Sequence, residues 1–117
     1  MSKIRYNRSA DRMFNKSASG AGVMQVARDV SKDESNSFGV SVSVFERFAM
    51  EWTVTYDEFI YGLDGELTLE TKEGTFSIGP GDSIWLPEGT WMVYKAESAK
   101  VLIVVHPVNW RDLQGKG

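Results

Sequence analysis

The chain has 117 residues, the length of one domain, and its 42% apolar and 25% charged residues match soluble globular proteins and exclude disorder as a description of the whole. With no cysteine and one histidine, disulfide scaffolds, thiolate zinc sites, iron–sulfur clusters, thiol nucleophiles and His-rich metal centres are excluded. Its 13 basic and 16 acidic residues give a formal charge of −3 without a basic stripe, so nucleic acid is not the expected partner.

The N-terminal Met1-Ser2-Lys3-Ile4-Arg5-Tyr6 lacks the apolar core of a signal peptide. No stretch reaches the ~20 apolar residues of a membrane-spanning helix. A cytoplasmic location with no membrane association is therefore expected, and the Asn-x-Ser triplets at Asn7 and Asn15 read as chance matches. Residues 1–21 are polar and irregular and read as an N-terminal arm anchored by Phe14. Ser9 can cap a turn of helix running to Phe14.

From residue 22 the signal is β. Val23, Met24, Val26, Ala27 and Val30 predict a strand, ended by the polar run from Ser31 to Ser37. Val40, Val42 and Val44 then alternate with Ser41 and Ser43, which puts valines on one face of a strand and serines on the other. Past residue 50, short apolar segments begin near residues 52, 58, 66, 74, 82, 91 and 100, with turn chemistry between them. Asp64-Gly65 predicts a two-residue hairpin, whose type I′ turn needs positive φ at both central positions. Lys72-Glu73-Gly74, Gly79-Pro80-Gly81-Asp82 and Pro87-Glu88-Gly89 supply three further turns. The unbroken run Val101-Leu102-Ile103-Val104-Val105 predicts a strand buried on both sides and ended by Pro107. Residues 113–117 read as a frayed tail. This rhythm describes a single all-β domain over residues 22–112, an antiparallel sandwich or barrel.

Two spacings narrow the fold. Glu58 is followed after six residues by Gly65, and Gly81 is followed after five residues by Pro87-Glu88-Gly89. The pair resembles the two motifs of the cupin superfamily, which implies a single-domain jelly-roll barrel (a double-stranded β-helix). In that superfamily the metal ligands occupy three histidine positions and one glutamate position. Here the histidine positions fall on Trp52 and Val54, or on Glu51 and Thr53 in the variant one residue longer, and on Met92. Only Glu58 remains, and a lone carboxylate cannot hold a first-row transition metal. No metal and no other cofactor is expected. The stretch Trp52-Thr53-Val54-Thr55-Tyr56-Asp57-Glu58, with Leu69, Gly79-Pro80-Gly81-Asp82 and Pro107-Val108-Asn109-Trp110, resembles more narrowly the cupin domain of the ethanolamine-utilisation protein EutQ. Larger members of that family carry an additional N-terminal region. Acetate kinase activity has been associated with the family, but this chain shows no phosphate-cradling Gly-x-x-x-x-Gly-Lys loop.

The superfamily pattern implies that Glu58 and Met92 face the barrel interior. Period-two parity adds Tyr94 beside Met92, Trp52 and Tyr56 near Glu58, and places His106 with Leu102 and Val104. Trp52, Tyr56, Glu58, Met92, Tyr94 and His106 are therefore the candidate ligand-binding residues, around a pocket with mostly apolar walls. Met92 reads as a plug for the space a metal would take. Trp85 and Trp91 read as packing or dimer residues, and Asp57 as solvent-facing. A carboxylate on an inner wall is costly unless hydrogen-bonded, and burial raises its pKa. Tyr56, Tyr94 or His106 satisfies it, or it awaits a ligand. Three functions fit. The first is a metal-independent cupin binding a small polar or carboxylated metabolite, an accessory protein of small-metabolite metabolism. The second is an isomerase or lyase with Glu58 as proton carrier. The third is an interaction module with a self-filled pocket. A homodimer is expected, because the strand from Val23 to Val30 otherwise leaves an open edge.

Overall fold

The alternating valines and serines at residues 40–44 open the longest pairing in the molecule. In the computed structural model, which describes residues 3–17 and 20–114, the strands are β1 (Asn15–Lys16), β2 (Ala21–Val30), β3 (Gly39–Thr53), β4 (Asp57–Gly65), β5 (Leu67–Thr71), β6 (Gly74–Ile78), β7 (Ser83–Leu86) and β8 (Trp91–His106). A short helix, α1 (Trp110–Gln114), closes the described chain. β3 and β8 pair antiparallel in one register from Gly39 opposite Val105 to Thr53 opposite Trp91. The order runs β1-β2-β3-β8-β4-β7, and β5 and β6 continue from the other end of β8. Because β4 takes one half of β8 and β5 the other, the sheet rolls into a jelly-roll cup. Phe45, Ile60, Leu67, Leu69, Met92 and Val101 fill its core.

The serine side of β3 is the inside. Ser43 and Phe45 are fully buried and share a face, while Val40 and Val44 are half-buried outside. Phe45, which has the serines' parity, is the sign in the sequence of which face turns inward. At Arg47 the backbone takes φ +44° and leaves the ladder, with Glu46 opposite Ser98 and Phe48 opposite Ala96 on either side. Beyond this point Phe48, Met50 and Trp52 become the inward set.

The Asp64-Gly65 hairpin does not form. Only Gly65 has positive φ (+67°), and it stays in β4 opposite Ala99 of β8. The pairing shifts register between Gly62 and Asp64, so Leu63 bulges and the dipeptide stays paired in a line that continues into β5. A Cβ on Gly65 would lie 2.1 Å from the Ser98 carbonyl oxygen, which explains the glycine. The true hairpin lies at Lys72-Glu73, between β5 and β6.

Other elements depart in detail. Val101 and Ile103 are buried, but Leu102 and Val104 on the opposite face are half-buried, so the last strand is closed on one side only. The helical turn in the arm is a single tight turn, Ser9–Asp11, with Arg8 at its cap and no side-chain cap bond. Arg12 binds the mostly buried Asp29 of β2 through two hydrogen bonds of 2.9 and 2.7 Å, which lays the arm on the outer face. β2 is not an open edge throughout, since Asn15 and Lys16 of β1 pair with Val26 and Gln25. Of the tail expected to fray, residues 115–117 lie outside the described residues.

Candidate functional site

Inward residues of β2, β3, β4 and β8, together with the closing segment from Val108 to Asp112, line an open cavity of about 1000 Å³. That is ample for a metabolite-sized ligand. The closing segment begins where β8 ends at His106, whose peptide bond to Pro107 is cis. It is pinned across the mouth by three contacts. The Val108 N–H donates to the Ser37 carbonyl at 2.8 Å, Lys32 bridges to Asp112 at 3.2 Å, and the Trp110 ring lies 4.4 Å from that of Tyr56.

Glu58 is the chemical centre of the wall. Strand parity turns it inward with Ile60, and it lies opposite Val105 of β8. Its exposure is 2%. The Tyr94 hydroxyl donates to Glu58 Oε1 at 2.7 Å. Burial pushes the Glu58 carboxyl up to about 7, and the Tyr94 hydrogen bond, which favours the anion, only partly opposes it. Burial, then the neighbouring Glu58 and Tyr56, hold the Tyr94 phenol well above its ordinary range, so it keeps its proton. Tyr56 is likewise raised, by burial first and then by Glu58. Its hydroxyl accepts from the Trp52 indole N–H at 3.2 Å rather than serving Glu58. Near neutral pH the site therefore offers one carboxyl that exchanges a proton beside a phenol that does not.

Of the six candidate residues, Trp52, Tyr56, Glu58 and Tyr94 stand on the cavity wall. Met92 is fully buried within the apolar core and does not reach the cavity. His106 is exposed, on the face opposite Glu58, because Val105 and not His106 carries the inward parity at that level. Asp57 also points away from Glu58, but it is half-buried and accepts the Glu88 N–H at 2.9 Å, pinning the turn at Pro87–Gly89. Trp91 is half-buried and donates to Glu51 at 2.6 Å, while Trp85 stands 58% exposed.

Several wall residues escaped the reading of the sequence. Trp110 completes an aromatic group with Tyr56 and Trp52, and the Arg111 guanidinium caps its ring at 4.5 Å. Arg28 of β2 shares the inward parity of Met24 and Val26. Ser43 lies deep on β3, and its hydroxyl has no hydrogen-bond partner among the described residues. The Ser41/Ser43 alternation and the closing tryptophan were the available signals; the two arginines had none.

The cupin fold raises the question of a metal. The residues do not fit one, since among the described residues no group of three or more His, Cys, Asp or Glu side chains comes together. The neighbour of Glu58 is the Tyr94 phenol, which keeps its proton and donates a hydrogen bond to the carboxyl, so the pair does not supply a metal's ligand set.

Comparison with known proteins agrees with this architecture. The acetate kinase EutQ of Escherichia coli K12 is 31% identical over 85 residues, which is 72% of this chain and 36% of that protein. A crystal structure described as an ethanolamine utilization protein Q from Salmonella typhimurium LT2 superposes with a TM-score of 0.80 at 20% identity, covering 86% of this chain and 84% of that one. The polyketide cyclase RemF of Streptomyces resistomycificus shares the fold, with a TM-score of 0.78 at 14% identity over 89% of this chain and 80% of its own. This chain's matches span between 36% and 50% of the length of the curated relatives. The family model described as ethanolamine utilisation protein EutQ matches residues 3–112, nearly the whole sequence, and the chain belongs to that family.

Proposed function

We propose that this EutQ-family cupin is a metal-independent small-molecule-binding protein, an accessory to small-metabolite metabolism, with Glu58 as the key polar contact. The observation that carries the reading is a protonatable, 2% exposed carboxyl on the wall of an open cavity otherwise lined largely by aromatic and aliphatic groups. An apolar wall with a few convergent polar groups and a perturbed pKa is the usual character of a ligand site. Trp52, Tyr56 and Tyr94 form its walls. The open volume supports this reading over a module whose pocket is filled by its own side chains. Thermal denaturation against a library of small polar and carboxylated metabolites tests it. A ligand at 100 times its Kd adds about 2.7 kcal/mol and raises Tm, and Glu58→Gln reduces the shift. A library with no stabilising member overturns it.

A second reading is favoured by the pairing of Glu58 with Tyr94. A carboxyl with a pKa of about 7 can give or take a proton at neutral pH, which suits an isomerase or lyase. A turnover that survives unchanged in Glu58→Gln rules that out.

The expected homodimer gains support from the outer face. Trp85, Phe59 and Val104 form one cross-strand row, and Tyr61 and Leu102 the next. Trp85 and Tyr61 are exposed, and a second copy of the chain is the partner proposed to cover them. Elution as a monomer at micromolar concentration in size-exclusion chromatography contradicts this. No described helix is long and apolar enough to cross a membrane, and a cytoplasmic location is part of the same proposal.

A further inference from the structure

The cavity mouth carries two arginines from distant parts of the chain. Arg28 comes from β2 and Arg111 from α1, and both line the same opening. Arg5, Arg8 and Arg12 are paired with Glu34, Asp11 and Asp29, whereas neither mouth arginine makes an ion pair with a described carboxylate. The acidic groups nearby are mostly engaged. Asp112 is held by Lys32 at 3.2 Å, Glu51 by the Trp91 indole at 2.6 Å, and Glu58 by Tyr94; Asp33 is an exposed carboxylate on the same lining. Burial and then the nearby Arg111 charge work against the Arg28 guanidinium and lower its pKa, although it remains charged. Both arginines are exposed at the opening, so water screens the repulsion between them, and an anion bound between them lowers it further. Deeper in, Ser43 belongs to the cavity lining, and its buried hydroxyl has no partner among the described residues. That is a second and independent mark of a missing ligand group.

Building on the reading of the cavity as a ligand site, we propose that its ligand is a small organic acid. Its carboxylate is held by Arg28 and Arg111 at the mouth. Its apolar body lies against Trp52, Tyr56 and Trp110, and a polar group at its far end reaches Ser43. Guanidinium groups suit this task because their N–H donors match a carboxylate in plane. The body supplies area and the arginines supply the selection for negative charge.

The test uses benzoate and benzamide, which share a ring and differ in charge, titrated into the full chain while the Trp52 and Trp110 indole N–H signals are followed by NMR. The expected result is that benzoate binds at least about tenfold more tightly than benzamide, the size of a charge-assisted hydrogen bond. Arg28→Gln and Arg111→Gln each weaken benzoate about tenfold and leave benzamide within about twofold, while Arg28→Lys recovers part of the loss. Arg28→Gln is the cleaner variant, because it leaves the Arg111–Trp110 contact in place. Equal affinities for the two probes in wild type, or benzoate binding unchanged in the variants, overturns the arginine clamp while the cavity remains a ligand site. Indole signals that respond to neither probe overturn both.

Discussion

Glu58 costs the fold stability in order to stay where it is. Its ordinary pKa is 4.5 and burial lifts it to about 7, so between those values the native state binds more protons than the unfolded chain. Stability therefore falls as pH rises through that window and levels off above about pH 7, with a total near 3 kcal/mol. Glu58→Gln keeps the shape and an acceptor for Tyr94 but cannot ionise. Urea denaturation at pH 5 and pH 8 is expected to show the variant gaining about 2–3 kcal/mol on the wild type between the two. A difference that does not change with pH would contradict the buried-acid account. Ser43 gives a second expectation at this scale. Its hydroxyl is buried without a partner, so Ser43→Ala should stabilise the ligand-free protein by about 1 kcal/mol in the same measurement, and a loss would show a partner in solution. The superfamily resemblance implied the inward turn of Glu58 and Met92, and strand parity set Tyr94 on the face of Met92. Neither could choose among Tyr56, Tyr94 and His106 as partner, since that depends on which strands lie across the cavity.

Among the elements, the continuation of β4 past the bulge at Leu63 and the closing helix matter most to the site. Asp64-Gly65 is compatible with a hairpin turn or with a paired strand that carries one positive φ, at Gly65. What decides is whether the following residues pair back on β4 or carry on along β8, a contact some thirty residues away in sequence. Local turn chemistry cannot report that, which is why the strands were legible and this connection was not. Gly65→Ala would set a Cβ against the Ser98 carbonyl and strain a φ of +67°. A loss of about 2–4 kcal/mol, seen as a lowered Tm, is expected. A near-neutral effect would show that β4 and β8 can separate there at little cost. At the other end, Trp110 ties α1 to Tyr56 and Trp52 with ring distances of 4.4 and 6.4 Å. Trp110→Ala should cost about 1–3 kcal/mol in urea denaturation and raise the proteolytic sensitivity of the chain beyond His106. Unchanged proteolysis would mean that Val108 and Lys32 hold the segment unaided.

For the molecule as a whole, fold and site were legible to different degrees for one reason. Strand rhythm gives an antiparallel sandwich or barrel, and the resemblance carried by the spacings of Glu58, Gly65, Gly81, Pro87 and Gly89 implies the jelly roll. The mouth of the cavity is assembled from β2, the closing segment and the loop that carries Lys32, and the arginines there have no period to betray them. Trp110 was visible only as the end of a family-like stretch, and the sequence gives no sign that it folds back over Tyr56. The account of the site as a whole still rests on one group, a carboxyl kept from water on a cavity wall. The most direct test is a 13C NMR titration of the Glu58 side-chain carboxyl in the full chain, assigned by its loss in Glu58→Gln. The account predicts a midpoint near pH 7; a midpoint near the ordinary 4.5 would show the acid open to solvent and contradict it.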